Sequence, residues 1–421
     1  MPRDIYAGTS KKAVRPTGRS VQTAMLDIIS QQNPKLVKAA AELHQGGAIP
    51  PDTYVVDLDG VRQNARKIKA CGDRLGLRLY VMTKQINRNP SMLKVIAQEG
   101  IDKAVAVDIQ CANMLHEKGF KIGHVGHLSQ IPRHSTENVL KMKPDIWTVY
   151  DYERAKFVSE GARRLGAQQD ILLKTIGPND KAYIAQEGGI PIAKMMDVAK
   201  RAMDLPNVRI AGVSGFPCVL YDNETCSLGP APNIKTIVAA AQRLHDELGI
   251  EIKHINCPGT SSCKSMEVVK QHGGTDAEPG SALWGMAMQQ LFGPDEGVPS
   301  VVYVSEVSHY AGEIACVLGG GFAPDVAFAE MAIHEAFVGS NPDSIMENRV
   351  KAEDPNVKMD YYTWLSPERG QKVIPGDSAV YFFRPQVFST RSSNMATVSG
   401  LSKGRPKLEA IYDRGGRLVK D

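Results

Sequence analysis

Three stretches of this 421-residue sequence carry side chains whose types and placement suit chemistry on one small molecule. The first is Leu79–Thr83, an apolar, β-rich run closed by Lys84. A lysine at the end of a buried strand is poorly solvated, which lowers its pKa and makes its amine a usable nucleophile. The second is Gly259-Thr260-Ser261-Ser262, just ahead of a helical pattern over 262–271. Backbone N–H groups and hydroxyls at a helix N-terminus form an anion site. The third is Glu278-Pro279-Gly280-Ser281, within an expected strand over 276–283. Taken alone, Lys84 also reads as a snorkelling surface lysine and the Gly-Thr-Ser-Ser run as an ordinary helix cap. Taken together, they offer a Schiff-base amine, a phosphate cradle and a carboxylate partner for a pyridinium nitrogen. Those are the needs of pyridoxal 5′-phosphate.

Such groups are useful only if a framework brings them to one place. From residue 79 onward, short apolar runs alternate with amphipathic helical stretches. Strands are expected at Leu79–Thr83, Ala104–Val107, His124–Leu128, Ile146–Val149, Ile171–Lys174, Arg209–Val213, Ile252–Ile255 and Asp276–Leu283. Helices are expected over 90–98, 110–118, 134–142, 151–165, 191–203, 233–248 and 262–271. Alternation argues for a parallel sheet. Eight units of about 26 residues argue for a closed (β/α)8 TIM-type barrel. The first strand is not followed by Gly-x-Gly-x-x-Gly, which disfavours an open dinucleotide-binding sheet. Barrel chemistry sits at the C-terminal strand ends. There stand Lys84, Asp108, Arg133, Asp151, Lys174 with Lys181, Phe216, Asn256 and Glu278.

The rest of the chain frames this barrel. Its length predicts two domains. Residues 1–50 read as a helical N-terminal arm, 51–298 as the barrel and 299–421 as a β-rich domain. In the arm, Val21, Ala24, Met25, Ile28 and Ile29 share one helix face, and Asn33-Pro34 starts a second helix with Asn33 as its cap. Residues 50–58 read as a strand that either domain could claim. Strands are expected at Val301–Val307, Ile314–Gly319, Lys372–Phe383, Met395–Gly400 and Leu408–Tyr412, with a helical pattern over Ala327–Phe337 and a turn or bulge at Gly319-Gly320-Gly321. A net charge of +4 gives no argument for nucleic acid or an anionic membrane. No apolar run of membrane-spanning length and no signal peptide is seen. Seven cysteines, an odd number, point to a reducing cytoplasm.

The stretches Val55-Val-Asp-Leu-Asp-Gly-Val-Arg-Gln-Asn64, Val81-Met-Thr-Lys84, Ala106-Val-Asp108, Gly212-Val-Ser-Gly-Phe216 and Glu278-Pro-Gly280 resemble the alanine racemase-like, fold-type III pyridoxal-phosphate enzymes. In particular the chain is similar to the YhfX-like amino-acid racemase group. The resemblance implies a barrel, a β-rich domain and a homodimer with shared active sites acting on a small amino-acid substrate. It implies that Lys84 holds the cofactor, and that Gly259, Thr260, Ser261, Gly280 and Ser281 bind its phosphate. Asn256 lies in the same cofactor-binding set. Phe216 stands where the family stacks a histidine on the ring. Glu278 stands where alanine racemases place an arginine. The Glu-Pro-Gly form is that of the basic amino-acid decarboxylases, although Ser281 follows where those have arginine.

Racemisation needs a second acid–base group opposite the lysine. Cys316, Tyr310 and His309 are the candidates, a buried core cysteine being the other reading of Cys316. Arg88, Arg133 and Lys181 are candidates for a substrate carboxylate. His124 and His127 have the look of a metal pair, but residues three apart on a strand face opposite sides, so no metal site is expected. The expected reaction is racemisation or epimerisation, with Lys84 removing and returning the α-proton. Decarboxylation or another α-carbon cleavage is the alternative, and a carrier that only binds the cofactor is a third reading.

Overall fold

The computed structural model describes residues 3–4, 24–183, 186–222, 227–259, 261–286, 297–319, 335–353, 361–384, 394–413 and 415–420. They form two compact units. One consists of Arg66–Thr83 and Ala97–Ala282, with the two-residue strand Arg3–Asp4. The other consists of the described parts of Arg15–Ala65, Lys84–Ile96 and Leu283–Asp421. Packing therefore interleaves the chain: residues 51–65 and 84–96 and the described residues of 283–298 group with the β-rich unit.

The first unit is built on a parallel sheet. Its order is Arg78–Leu79, Asp276–Ala277, His254–Asn256, Val208–Ser214, Gln169–Ile176, Ile146–Val149, Lys121–Val125, Lys103–Ala106 and Val81–Met82. The two ends of this list are one stretch of chain. Arg78 and Leu79 pair with Asp276 and Ala277, and Val81 and Met82 pair with Ala104 and Val105. Between them the Tyr80 N–H donates to the Ala277 carbonyl at 3.1 Å, and the Met82 N–H to that of Pro279 at 2.8 Å. The sheet thus closes on itself as the expected eight-unit barrel.

The strands are apolar on both faces because side chains fill the interior and helices cover the outside. Helix Ile192–Met203 buries Met195, Met196, Ala199 and Ala202 along one stripe. Asp108 and Asp151, which close two strands, cap the following helices. Their carboxylates accept from the N–H groups of Cys111 and Arg154 at 2.6 and 2.8 Å. Each such cap contributes about 1 kcal/mol. These two aspartates shape turns.

The second unit is a ten-stranded sheet. Its order is Ile314–Leu318, Tyr362–Ser366, Arg349–Glu353, Glu335–Gly339, Ser378–Tyr381, Val301–Ala311, Thr53–Asp57, Asn394–Ser399, Lys407–Asp413 and Leu418–Lys420. Ile314–Leu318 also pairs with Val301–Ala311, so the first six strands close a small barrel of their own. Thr53–Asp57 belongs here, antiparallel to Val301–Val304 and parallel to Asn394–Val398. Tyr54, Tyr303 and Tyr381 pack in its core as edge-on and tilted ring pairs, with centroids 5.1 and 5.9 Å apart.

Three readings are corrected here. Glu335–Gly339 is a strand, not the end of a helix over Ala327–Phe337, because its backbone pairs on both sides; residues 327–334 lie outside the described residues. Arg349–Glu353 and Tyr362–Ser366 are strands that the sequence pattern did not signal. Pro34 does open helix Pro34–Gln45, but the Asn33 side chain makes no cap. Its amide instead donates to the Asp57 carboxylate and the Pro299 carbonyl, both at 2.9 Å. A buried carboxylate is a stronger acceptor than the alternatives and needs the donor. No helix among the described residues is long and apolar enough to cross a membrane.

Candidate active site

The barrel strands send polar side chains into a shared interior. Glu278, fully buried, follows strand Asp276–Ala277 by one residue. One of its oxygens, Oε1, accepts from His124 Nδ1 at 2.6 Å and from the Asn256 amide at 3.1 Å. An ionised carboxylate only accepts, so His124 carries its proton on Nδ1. His124 Nε2 meets the Thr148 hydroxyl at 2.7 Å. The Ser214 hydroxyl donates to the Asn256 carbonyl oxygen at 3.0 Å and so fixes which way the amide points. Burial works hardest against ionising Glu278. Nearby His127 and His124, with hydrogen bonds from His124 and Asn256, outweigh it and hold the carboxyl at about 2. The second oxygen, Oε2, has no hydrogen-bond partner among the described residues and lies 3.7 Å from His127 Nε2.

His124 and His127 were expected on opposite faces. The structure brings both to Glu278, with ring centroids 5.4 Å apart. The strand ends at Val125, and Gly126 takes a left-handed φ of 78°. A Cβ there would meet the Thr148 carbonyl oxygen at 2.4 Å, so only glycine makes this turn. The glycine between the histidines was the signal to read. The ligand atoms of His124, His127 and Glu278 lie within 4.8 Å of one another. However, two ligands about 2.1 Å from a tetrahedral metal sit about 3.4 Å apart. The 2.6 Å His124–Glu278 contact is that of a shared proton.

The anion loop adjoins this cluster. The Glu278 N–H donates to Ser261 Oγ at 3.2 Å, and the Cys218 N–H to the Pro258 carbonyl at 3.0 Å. Ser262 caps helix Cys263–Gln271 in a reciprocal capping box with Ser265. A Cβ on Gly259 would press to 3.2 Å from the Val219 backbone. Ser281 is buried at the start of the short 3-10 turn Ser281–Trp284, one residue after Gly280. Thr260 lies outside the described residues. Phe216 meets the His127 ring edge-on at 5.4 Å and the Tyr183 ring at 5.6 Å. The Asn233 amide holds the Lys181 and Phe216 carbonyls at 2.9 and 3.1 Å, tying those two loops together.

Lys84 is half-buried in the 3-10 turn Thr83–Ile86. The turn is anchored by the Thr83 hydroxyl, which donates to the Val105 carbonyl at 2.8 Å. Met82, two residues earlier, bonds to Pro279, the neighbour of Glu278. Arg88 is half-buried with a left-handed φ of 53°. Arg133 is exposed, with its guanidinium 5.1 Å from the Phe157 ring of helix Tyr152–Leu165 in a cation–π contact.

Lys174 is the cation that the strand-end reading passed over in favour of Lys181. It is 2% exposed, and burial pulls its pKa down to about 8. Tyr150 Oη accepts from its amine at 2.9 Å and in turn donates to the His127 carbonyl at 2.8 Å.

In the β-rich unit, Cys316 is buried opposite His309 and Trp364 in the sheet. His309 is exposed and packs edge-on against Tyr362 at 4.9 Å. The Tyr310 hydroxyl donates to the Val373 carbonyl at 2.9 Å.

These residues fit pyridoxal 5′-phosphate. A buried, ionised carboxylate with one oxygen unengaged suits a protonated ring nitrogen, and a glycine–serine loop at a helix N-terminus suits the phosphate. The alanine racemase, N-terminal domain model matches residues 56–288, and the YhfX-like, C-terminal domain model matches 302–408. The uncharacterized protein YhfX of Escherichia coli (strain K12) is 33% identical over 94% of this chain and 99% of its own length. Among solved structures, D-threonine aldolase from Filomicrobium marinum superposes with a TM-score of 0.64 at 16% identity, covering 87% of this chain and 95% of that one. An alanine racemase of Clostridium difficile 630 superposes at 0.59 and 15% identity, covering 87% and 99%. At that identity they establish the shared fold of barrel and β-rich part. With the family models and a full-length relative in agreement, the chain belongs to the alanine racemase-like family of pyridoxal-phosphate-dependent proteins, in its YhfX-like group.

Proposed function

We propose that this protein is a pyridoxal-phosphate-dependent amino-acid racemase or epimerase, working as a homodimer in the cytoplasm. The observation that carries the reading is Glu278: buried, ionised and with one oxygen that has no hydrogen-bond partner among the described residues, beside the Gly259–Ser262 loop. When bound, pyridoxal phosphate supplies an electron sink for charge developing at a substrate α-carbon. Glu278 keeps that sink strong by holding a proton on the ring nitrogen. Gly259, Thr260, Ser261, Gly280 and Ser281 hold the phosphate through backbone N–H groups and hydroxyls. Phe216 presents an aromatic face. Lys84 would hold the cofactor through its amine, and the same amine would move the α-proton. Return to the opposite face falls to Tyr310, His309 or Cys316, and Lys181 and Arg88 serve the substrate carboxylate.

Decarboxylation is the second reading, favoured by the Glu-Pro-Gly form of the 278–280 turn. Borohydride reduction of the loaded protein tests the anchor: cofactor is expected on the Lys84 peptide, and its absence overturns the cofactor role. Incubation with an amino-acid panel in heavy water tests the reaction. Deuterium at the α-carbon with loss of chirality supports the racemase. Released carbon dioxide supports the decarboxylase. No exchange with any amino acid leaves a carrier.

A further inference from the structure

Two cysteines outside the catalytic cluster stand where they can reach the anion loop. Cys71 lies on the outer helix Leu58–Leu75. Cys263 is the first residue of helix Cys263–Gln271, directly after the cap Ser262 that ends the loop beginning at Gly259. Cys71 Sγ is 3.8 Å from the Cys263 carbonyl oxygen, and Arg74 Nη2 is 3.6 Å from Cys71 Sγ. Arg74 also pairs with Glu267 at 2.7 Å, clamping the same two helices at the level of the thiols. A hydrogen bond from the Cys263 thiol, followed by the charge of Arg74, lowers the Cys71 thiol to about 7 against the opposing effect of burial.

A second thiol pair in the same unit behaves oppositely. Cys218 and Cys257 are fully buried, and their thiols donate to the Gly215 and Ile255 carbonyls, both at 3.5 Å. Burial pushes the Cys218 thiol up.

We propose that Cys71 and Cys263 form a peroxide-sensitive dithiol that closes reversibly to a disulfide and thereby weakens anion binding at the adjoining loop. The Cys71 thiolate attacks one oxygen of hydrogen peroxide, the O–O bond breaks, and a sulfenic acid and hydroxide result. The Cys263 sulfur then attacks the Cys71 sulfur and displaces a second hydroxide. That hydroxide takes up the thiol proton of Cys263, and the first takes up a solvent proton. Overall two thiols lose two electrons and one peroxide becomes two waters. The new bond, about 2.05 Å long, replaces the looser thiol contact. It draws the first residue of helix Cys263–Gln271 toward helix Leu58–Leu75 and disturbs the capping box that sets the loop. The dithiol stands on its own geometry; its effect on the loop rests on the phosphate-binding reading above.

The test treats the full-length protein with dilute peroxide at pH 7.5 and maps tryptic peptides. A Cys71–Cys263 cross-link, lost on dithiothreitol and absent in Cys71→Ser, is expected. No cross-link, or cross-linking of Cys218 to Cys257 instead, overturns the dithiol. In Cys263→Ala, which removes the donor, alkylation of Cys71 at pH 7 is expected to slow by about five-fold or more, as its thiolate fraction falls. An unchanged rate overturns the pairing. Pyridoxal phosphate titrated onto cofactor-free protein is expected to bind several-fold more weakly after oxidation and to recover on reduction. Equal affinity in both states overturns the coupling to the loop. Binding to neither state strikes down the cofactor reading and with it the coupling, while the cross-link still decides the dithiol.

Discussion

Asp276 and Glu278 lie two residues apart, both fully buried inside the barrel, yet they are surrounded in opposite ways. Asp276 is saturated: Arg78 Nε donates at 2.6 Å, the Thr275 hydroxyl at 2.8 Å and His254 Nδ1 lies 3.1 Å from both oxygens. Glu278 has one oxygen doubly engaged and the other with no hydrogen-bond partner among the described residues. An orphaned oxygen on an ionised, buried carboxylate costs stability unless something else occupies it. The difference matches a structural role for Asp276 and the cofactor-binding role proposed for Glu278.

The largest expected effect breaks the comparison at its functional end. Glu278→Gln keeps an acceptor for His124 but removes the charge. Cofactor-dependent α-proton exchange per folded molecule is expected to fall about 100-fold or more. Exchange into heavy water, normalised to the folded fraction measured by calorimetry on the same preparation, checks it. An equal loss of activity on changing Asp276 would erase the distinction.

Asp276→Asn comes next. It strands part of the Arg78–His254–Thr275 network, and a loss of about 1–3 kcal/mol in urea unfolding is expected, with exchange per folded molecule retained.

The acid limb is a finer probe. The folded pKa of Glu278, about 2, is below its ordinary value of 4.5. Its contribution is therefore full above pH 4.5 and is lost as pH falls toward 2. Urea midpoints at pH 3 and pH 6 are expected to lie closer together in Glu278→Gln than in the native protein; an unchanged gap would remove Glu278 from the acid response.

Lys174 gives the smallest effect. Its folded pKa of about 8 lies below 10.5, so the unfolded chain binds more protons between those values, and stability rises there with pH. Lys174→Met is expected to flatten that rise, which urea titrations at pH 8 and pH 10 would show.

The barrel was legible in the sequence because most of its strands are contiguous apolar runs followed by a one-sided helix. Both patterns are local. Lys84, Glu278 and the Gly259–Ser262 loop were legible because a lysine or carboxylate ending such a run is chemically conspicuous. What escaped is set by contacts between distant residues. Thr53–Asp57 reads as a strand, but its neighbours, Val301–Val304 and Asn394–Val398, are chosen by the completed sheet. The turn at Gly126 rotates His127 beside His124, and a strand-period argument that ran through the glycine missed it. Lys174 carries no local sign of how deeply it is buried. Arg349–Glu353 has its alternation, Val350 and Ala352 in and Arg349 and Lys351 out, but is too short to stand out from loop.

The placement of Thr53–Asp57 also bears on how the molecule is made. A ribosome releases this strand early, and the partners on its two edges, Val301–Val304 and Asn394–Val398, only near the end. At ordinary translation rates the wait is on the order of tens of seconds. During it, every strand of the parallel barrel emerges and can pair. Tyr54, Val55 and Val56 meanwhile remain an apolar strand with two open edges, the kind of segment that invites wrong partners. The growing chain therefore needs those few residues shielded until Val301–Val304 and Asn394–Val398 have been synthesised.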